Sequence, residues 1–220
     1  MSVIEIPGHK IYFGVAMGLE RDMVMRERLR VYKQYGYYYD ENVVTDQDSY
    51  DEYSPYFVAR LEDGRIIGST RLVPGKDGTP FPIESSFKFT LPDELKAISI
   101  TERAEIGKLV SEKPKNIEGG RLIVTLGLID AVLCYSEKNK LILGFSFIRD
   151  RLLHALQEFE FPFHELKDAE LIYPRDGLLA GYFYKQKRDG VTPVYYRIEE
   201  IGPAIRGIVE TLNKLHKSAS

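Results

Sequence analysis

The chain has 220 residues, enough for one sizeable domain spanning residues 1–220 and too few for a second independent one. Its net charge of -3 gives no reason to expect nucleic acid or an anionic membrane as a partner. The single cysteine excludes an internal disulfide framework and favours a cytoplasmic location. No apolar run approaches the ~20 residues of a membrane-spanning helix, and the N-terminal pattern predicts no signal peptide.

The first half of the chain has patterns typical of a strand, an amphipathic helix, a long acidic loop and a β-hairpin. In that order, we expect these elements at residues 10–16, 19–35, 37–55, 56–61 and 65–74. Gly36 follows the helix, where a left-handed residue usually ends it. Because a loop of this length inside a domain is usually functional or mobile, the acidic loop is a candidate part of a site.

The second half predicts alternating strands and helices. Strands are expected at residues 104–111, 141–147, 178–185 and 191–198, and helices at residues 121–138, 148–159 and 203–217. This order predicts a layered α/β (α+β) domain, in which a mixed sheet has helices on both faces. In such folds, ligands bind where neighbouring strands part at their carboxyl ends, here within residues 104–159.

The sequence contains none of the strong catalytic motifs. It has no GxxxxGK[ST] phosphate loop, no GxGxxG turn and no GxSxG elbow. Its four histidines are scattered without the spacing of metal ligands, so we expect no metal site. Covalent and metal-assisted catalysis are therefore poorly supported.

Charged residues stand inside segments that otherwise predict buried strands. Arg71 lies in IIGSTRLV, and both Glu105 and Lys108 lie in AEIGKLVSEKP. A charge buried without a partner costs several kcal/mol, so these side chains are expected to have partners. Asp48 and Asp51 in the acidic loop can supply them.

These charges allow two interpretations. In the first, they form an ion-pair network, with Arg28 of the first helix, that only holds the loop down. In the second, they line a polar pocket where two strands part, and a carboxylate there takes a proton from an amine. A bulge near Gly107 would bring Glu105 and Lys108 closer and expose backbone N–H groups to a carbonyl oxygen.

The charged residues also belong to an ordered set of segments that resembles a known family. The segments are Arg28-Leu29-Arg30-Val31-Tyr32, Gly36-Tyr37, Asp48-Ser49-Tyr50-Asp51, Gly68-Ser69-Thr70-Arg71-Leu72-Val73-Pro74 and Glu105-Ile106-Gly107-Lys108-Leu109-Val110. From about residue 20 to 112, the chain resembles the acyl-homoserine-lactone synthases and the long-chain N-acyl amino acid synthases. The resemblance implies a GNAT-like fold, whose mostly antiparallel central sheet is splayed at its middle and flanked by helices.

The resemblance also implies an enzyme that moves a fatty acyl group from a thioester to the amine of a small acceptor. The donor would be acyl-phosphopantetheine on acyl carrier protein, or acyl-CoA, with no tightly bound cofactor. The absence of tryptophan favours an amino acid over S-adenosylmethionine as the acceptor, because the homoserine-lactone synthases carry a tryptophan after the first helix. A non-catalytic module that binds an acyl group or an amino acid is the alternative of another class.

Carried over by position, the resemblance implies three groups of site residues. The catalytic group has Glu105 as the base, with Arg71, Asp48, Asp51 and Lys108, the last of which replaces an arginine of the family. The substrate-binding group comprises Arg28, Tyr32, Tyr37, Tyr38, Leu109, Val110 and Ser111, with Val124, Leu128, Phe145 and Phe147 as an acyl groove or as ordinary core. The carrier-protein group comprises Lys113, Lys115, Arg121, Arg149 and Arg151, as a basic docking surface or as ordinary solvated charges.

Overall fold

A mixed sheet forms the middle of the protein in the computed structural model, which describes residues 2–6, 9–40, 42–114, 119–185 and 189–217. Within these residues, the strands are β1 Ser2–Ile6, β2 His9–Val15, β3 Tyr56–Leu61, β4 Ile66–Pro74, β5 Phe87–Lys88, β6 Arg103–Ser111, β7 Leu143–Arg149, β8 His164–Glu165, β9 Glu170–Leu171 and β10 Val191–Arg197. The helices are α1 Leu19–Gln34, α2 Pro82–Ser86, α3 Asp93–Lys96, α4 Gly120–Lys138, α5 Asp150–Gln157, α6 Ala180–Tyr184 and α7 Ile198–Lys217.

The strand order of the large sheet is β1-β2-β3-β4-β6-β7-β10-β8. Neighbouring strands pair antiparallel, except β6 and β7, which pair parallel through the crossover helix α4. That parallel pairing covers only Arg103 to Glu105 against Leu143 to Phe145. Beyond it the two strands part, so the sheet is splayed at its middle.

Helices cover both faces of the sheet. On one face, α4 and α7 bury the main apolar core, which includes Phe13, Phe57 and Leu128. On the other face, α1 packs its Val24 against Tyr56 of β3. The two faces differ because successive side chains of a strand point to opposite sides. No helix of the described residues is long and apolar enough to cross a bilayer.

The predicted layered α/β (α+β) arrangement is confirmed, and so is the left-handed residue after α1, since Gly36 has φ 65°. The strand predicted at residues 178–185 is wrong, because this stretch contains α6. Gly181 lies so close to Gly36 that a Cβ would approach the Gly36 carbonyl oxygen to 2.2 Å. Tyr182 also donates its backbone N–H to the Tyr37 carbonyl. Tertiary contacts thus override the strand propensity of this aromatic segment.

The first strand and the last helix also differ from the prediction. Strand β1 pairs with residues His9 to Phe13 of β2, although the sequence pattern predicted only the second of these strands. Helix α7 begins at Ile198 and contains Pro203, where the sequence predicted the helix to start.

Candidate functional site

A bulge in β6 organises the candidate site. Val110 pairs with Ser69 and Gly107 pairs with Arg71, so β6 has one more residue than β4 in this interval. Lys108 lies inside the interval with φ 53°, a left-handed conformation that is uncommon for a residue with a side chain. The predicted bulge is therefore confirmed, and its left-handed residue is Lys108 rather than Gly107.

Glu105 is buried just before this bulge, at the last parallel pair between β6 and β7. Its side chain is 1% exposed, and its Oε2 atom accepts a hydrogen bond from the Ile83 N–H at 2.7 Å. Burial raises the pKa of this carboxyl to about 8, although the Ile83 N–H and the Arg71 charge act in the opposite direction. Glu105 can therefore hold or release a proton near neutral pH.

Arg71 ties the acidic loop to the sheet. Its Nη1 donates to Oδ1 of Asp48 at 2.6 Å and also to Oδ1 of Asp51. The Lys108 ammonium lies 2.9 Å from Oδ2 of Asp48 and donates to the Asp46 carbonyl at 2.7 Å. Burial opposes ionisation of Asp48 and Asp51, but Lys108 and Arg71 lower the pKa of both carboxyls below the ordinary value. Both aspartates are therefore ionised at neutral pH.

Arg28 joins the same cluster through Asp46, a residue that the sequence analysis missed. Its Nε and Nη2 donate to the two Asp46 carboxylate oxygens at 2.5 and 2.7 Å, a bidentate pair that is buried on both sides. The third nitrogen, Nη1, donates to the Tyr56 hydroxyl at 2.7 Å, and Tyr56 donates in turn to Asp51. Tyr56, also missed, pairs with Arg71 across β3 and β4, a position that could have indicated its role.

The ion-pair network of the first interpretation is present in part, because ion pairs hold residues 46–51 against the sheet but do not include Glu105 among the described contacts. Its members are Arg28, Asp46, Asp48, Asp51, Arg71 and Lys108. The charges of the three cations and the three aspartates sum to zero. A protonated Glu105 adds no charge to this total. The carboxyl of Glu105 accepts the Ile83 N–H and is influenced by the Arg71 charge, but it is not used in the ion pairs that hold the loop.

The edge of β6 that faces β7 has no strand partner beyond Glu105 among the described residues. Ser146 donates to the Ile106 carbonyl at 2.8 Å at the start of the gap. Farther along, Ser111 accepts a hydrogen bond from Thr125 of α4 at 3.0 Å. Glu112 donates its N–H to Ile67 of β4, so the alternation of the ladder turns the N–H of Ser111 towards the open edge, where it can polarise a carbonyl oxygen that enters the gap.

The predicted aromatic residues Tyr32, Tyr37 and Tyr38 cluster at the end of α1, next to Val110 of β6. Tyr32 packs against Tyr37 and Tyr38 at ring-centroid distances of 5.3 and 5.9 Å. Tyr32 and Tyr38 are buried together with Val110. Burial raises the pKa of the Tyr32 and Tyr38 hydroxyls above the ordinary value, so both remain neutral.

The four predicted groove residues are not brought together. Phe145 lies on the Glu105 face of the sheet, packed 5.5 Å from Phe81, and Phe147 belongs to the same apolar cluster. Val124 and Leu128 lie on the opposite face, in the main core beneath α4. The last two are ordinary core residues, because local sequence does not tell which face of a sheet a helix will cover.

The five predicted basic residues differ in their exposure. Lys113, Arg121 and Arg151 are exposed, whereas Lys115 lies outside the described residues. The prediction that Arg149 is part of an exposed docking surface is wrong, because Arg149 is buried. Its guanidinium donates to the Asp189 carbonyl at 2.6 Å and stacks 4.4 Å from the Tyr182 ring centroid, so it offers no charge to a docking surface.

Comparison with known proteins identifies the fold. No protein-family model and no curated protein matches the sequence. Among solved structures, the acyl-homoserine-lactone synthase LasI matches with a TM-score of 0.60 at 14% identity, over 90% of this chain and 94% of LasI. TofI, in a ternary complex with an inhibitor and MTA, matches with a TM-score of 0.59 at 10% identity, over 89% of this chain and 96% of TofI.

A third match is BjaI, a CoA-dependent acyl-homoserine-lactone synthase, in a structure with SAM and isopentyl-CoA. Its TM-score is 0.59 at 16% identity, and the match covers 92% of this chain and 90% of BjaI. The mostly antiparallel, splayed GNAT-like sheet that the resemblance implied is confirmed, and the chain has the fold of the acyl-homoserine-lactone synthases.

Proposed function

We propose that the chain is an N-acyltransferase that moves a long-chain fatty acyl group from an acyl carrier protein thioester to the amine of an amino acid. The observation that carries this proposal is the position of Glu105. Its buried carboxyl, with a pKa raised to about 8, lies where β6 and β7 part, in a sheet with the fold of enzymes that make N-acyl products. An acyl group and an amine can meet in this gap beside a proton acceptor.

The reaction requires a neutral amine, because an ammonium has no lone pair for attack. Glu105, once ionised, takes the proton from the ammonium, directly or through a water molecule. The amine nitrogen then forms a bond to the thioester carbonyl carbon, and the carbonyl oxygen gains negative charge. Backbone N–H groups on the open edge of β6 stabilise that charge, near Leu109 to Ser111. The carbon–sulfur bond then breaks, the amine proton passes to the thiolate, and an amide and a free thiol leave.

The ion-pair network holds the acceptor side of this gap. Arg71, Asp48 and Asp51 fix the loop and orient the acceptor, and Arg28 holds the same loop through Asp46. Lys108 keeps the positive charge of the arginine that the family carries, and it uses that charge to hold Asp48 and the Asp46 carbonyl. Because an ammonium lacks the bidentate fork of a guanidinium, its role is to position the loop.

The donor is proposed to arrive on acyl carrier protein, which is acidic. Lys113 lies two residues beyond the end of β6, and Arg121 and Arg151 are the second residues of α4 and α5, so these three exposed cations are the proposed docking surface. The thiol arm would enter between these cations. Since BjaI is CoA-dependent, coenzyme A is the alternative carrier.

An acyl-homoserine-lactone synthase that uses S-adenosylmethionine is the second candidate. The observation that favours it is the fold shared with BjaI, whose structure contains SAM and isopentyl-CoA. The chain has no tryptophan, and Tyr37 and Tyr38 stand where the homoserine-lactone synthases carry one. This difference favours a plain amino acid as the acceptor.

A direct test supplies hexadecanoyl acyl carrier protein, or hexadecanoyl-CoA, with a pool of the common amino acids and S-adenosylmethionine. Mass spectrometry identifies N-acyl products, and a thiol reagent measures the released thiol. Formation of N-acyl amino acids supports the proposal, whereas N-acyl-homoserine lactone would establish the second candidate. Donor binding without any product would establish a binding module. If the Glu105→Gln variant is as fast as the wild type, Glu105 is not the base.

A further inference from the structure

The hydroxyl of Tyr196 is buried and makes no hydrogen bond among the described residues. Tyr196 lies on β10 in the main apolar core and is only 2% exposed. A buried tyrosine hydroxyl usually has a partner, because a buried polar group without one costs free energy. Phenylalanine would fill nearly the same volume without this cost, so packing alone does not account for the hydroxyl.

The ring of Tyr196 crosses the neighbouring strand at a glycine. Gly144 of β7 pairs directly with Tyr196, and a Cβ on Gly144 would lie 2.2 Å from the ring and 2.7 Å from the hydroxyl oxygen. A side chain at position 144 would therefore displace the ring. On its other side, Gly144 pairs with Ala104 of β6, one pair before Glu105 ends the parallel pairing. The Tyr196 hydroxyl thus lies over β7, next to the start of the gap between β6 and β7.

A second hydroxyl lies at the start of the gap itself. Ser146 is the first residue of β7 beyond the pairing with β6, and its hydroxyl donates to the Ile106 carbonyl at 2.8 Å. Burial raises the pKa of Tyr196 above its ordinary value, the Ser146 hydroxyl lowers it, and the Glu105 charge raises it. Tyr196 therefore keeps its proton at neutral pH, and its hydroxyl is close enough to Ser146 for the two to interact.

The two hydroxyls and the carboxyl of Glu105 lie on opposite faces of the sheet. Glu105 pairs with Phe145, which packs on the Glu105 face, whereas Tyr196 belongs to the core of the other face. Gly144 and Ser146 share that other face, because alternate residues of a strand point to the same side. A thioester held in the gap therefore has a proton acceptor on one face and two neutral hydroxyls on the other.

We propose that the hydroxyls of Ser146 and Tyr196 stabilise the thiolate that leaves the acyl donor. This inference rests on the proposed function and assigns the leaving-group side of that reaction. As the carbon–sulfur bond breaks, its electron pair stays on sulfur, and Ser146 turns its O–H from the Ile106 carbonyl to that sulfur. Tyr196 donates its O–H to Ser146 Oγ. Both residues stay neutral, because the thiolate takes its proton from the amine. Ser146 touches the donor and is a catalytic residue, whereas Tyr196 is a positioning residue.

The first experiment varies the leaving group of the donor. Hexadecanoyl acyl carrier protein releases a basic alkyl thiolate, whereas hexadecanoyl 4-nitrothiophenol releases a thiolate whose charge is already delocalised. We expect Ser146→Ala and Tyr196→Phe to lower kcat/KM at least about tenfold with the carrier-protein donor and to stay within about twofold of wild type with the aryl thioester. Equal losses with both donors, or no loss with either, would overturn the inference and leave the proposed function intact.

Tyr196→Phe also separates a chemical role from a structural one. The ring and its packing remain, and only a hydroxyl without a hydrogen bond is removed, so Tm should equal or exceed that of wild type. Tyr195→Phe is the matched control, because Tyr195 is the preceding residue of β10 and its side chain packs on the opposite face. The control should keep its kcat/KM within about twofold of wild type. If Tyr196→Phe is as active as the control, its hydroxyl has no part in the reaction.

A measurement without turnover separates failure of the inference from failure of the proposed function. The free thiols of holo acyl carrier protein and of coenzyme A are titrated with and without excess protein, and the thiolate is followed by its ultraviolet absorbance. Wild type should lower the thiol pKa from about 8.5 to about 7.5 or below, and Ser146→Ala and Tyr196→Phe should lower it less. This result would support the inference even if no amine is acylated. An unchanged pKa for both thiols would overturn it.

Discussion

Replacement of Glu105 by glutamine tests whether burial raises the pKa of this carboxyl in the folded protein. Burial raises the pKa of Glu105 from 4.5 to about 8, so the folded state binds more protons than the unfolded state between these values. The free energy of unfolding therefore falls as the pH rises through this window. Glutamine cannot ionise, but it keeps an oxygen that can accept the Ile83 N–H. The free energy of unfolding of the variant should therefore not fall through this pH window on account of residue 105.

The magnitude follows from the interval between the two pKa values. One pKa unit is worth about 1.4 kcal/mol, so ionisation of Glu105 costs the folded state about 5 kcal/mol above pH 8. About 2 kcal/mol of this is already lost at pH 6, and about 3 kcal/mol more is lost between pH 6 and pH 9. Relative to wild type, Glu105→Gln should gain that amount over the same range.

Urea unfolding of wild type and Glu105→Gln at pH 6, 7, 8 and 9 measures this difference. Other titrating groups are common to both proteins, so their contributions cancel in the comparison. Glu94→Gln is a control, because Glu94 is exposed and its neutralisation should change stability by less than about 0.5 kcal/mol at each pH. If wild type and Glu105→Gln keep a constant difference from pH 6 to 9, the raised pKa of Glu105 is wrong.

Three further predictions follow from the site. The kcat/KM for acyl transfer should rise with pH through about 8, because Glu105 must be ionised to accept a proton, and a flat profile would exclude it as the base. Asp46→Asn should lower the free energy of unfolding by about 3–5 kcal/mol, because it leaves the buried Arg28 guanidinium unpaired. The control Asp63→Asn removes an exposed ion pair and should cost less than about 0.5 kcal/mol. Equal Tm values for the two variants would refute the estimate for Asp46. The double change Lys113→Glu and Arg151→Glu should raise KM for acyl carrier protein at least about tenfold and leave KM for acyl-CoA within about twofold; equal effects on both donors would argue against the docking surface.

The sequence indicated the charged residues of the site because a charge in an apolar strand is conspicuous. Arg71, Glu105 and Lys108 are such residues, and the structure brings them to one cluster. Asp46 escaped notice because it lies in a loop without periodicity, where an acidic residue is ordinary. Only the path of that loop places its carboxylate on the Arg28 fork.

The sequence also could not predict which face of the sheet each helix covers. Val124 and Leu128 have the apolar character of a groove, but α4 covers the face opposite Phe145. Arg149 was expected to be exposed, yet it is buried, and backbone carbonyls of Asp189 and Tyr182 accept hydrogen bonds from Nη1 and Nη2 of its guanidinium. In both cases the deciding contacts join segments far apart in the chain, which local patterns do not record.

The most direct test of the proposed acyltransferase is the balance between thiol and amide during one reaction. Hexadecanoyl acyl carrier protein is incubated with the wild type and the common amino acids, and free thiol and N-acyl product are measured over time. We expect one N-acyl amino acid for each thiol released, and a far slower rate in Glu105→Gln. Thiol release without any N-acyl product, or no thiol release with any amine, would contradict it.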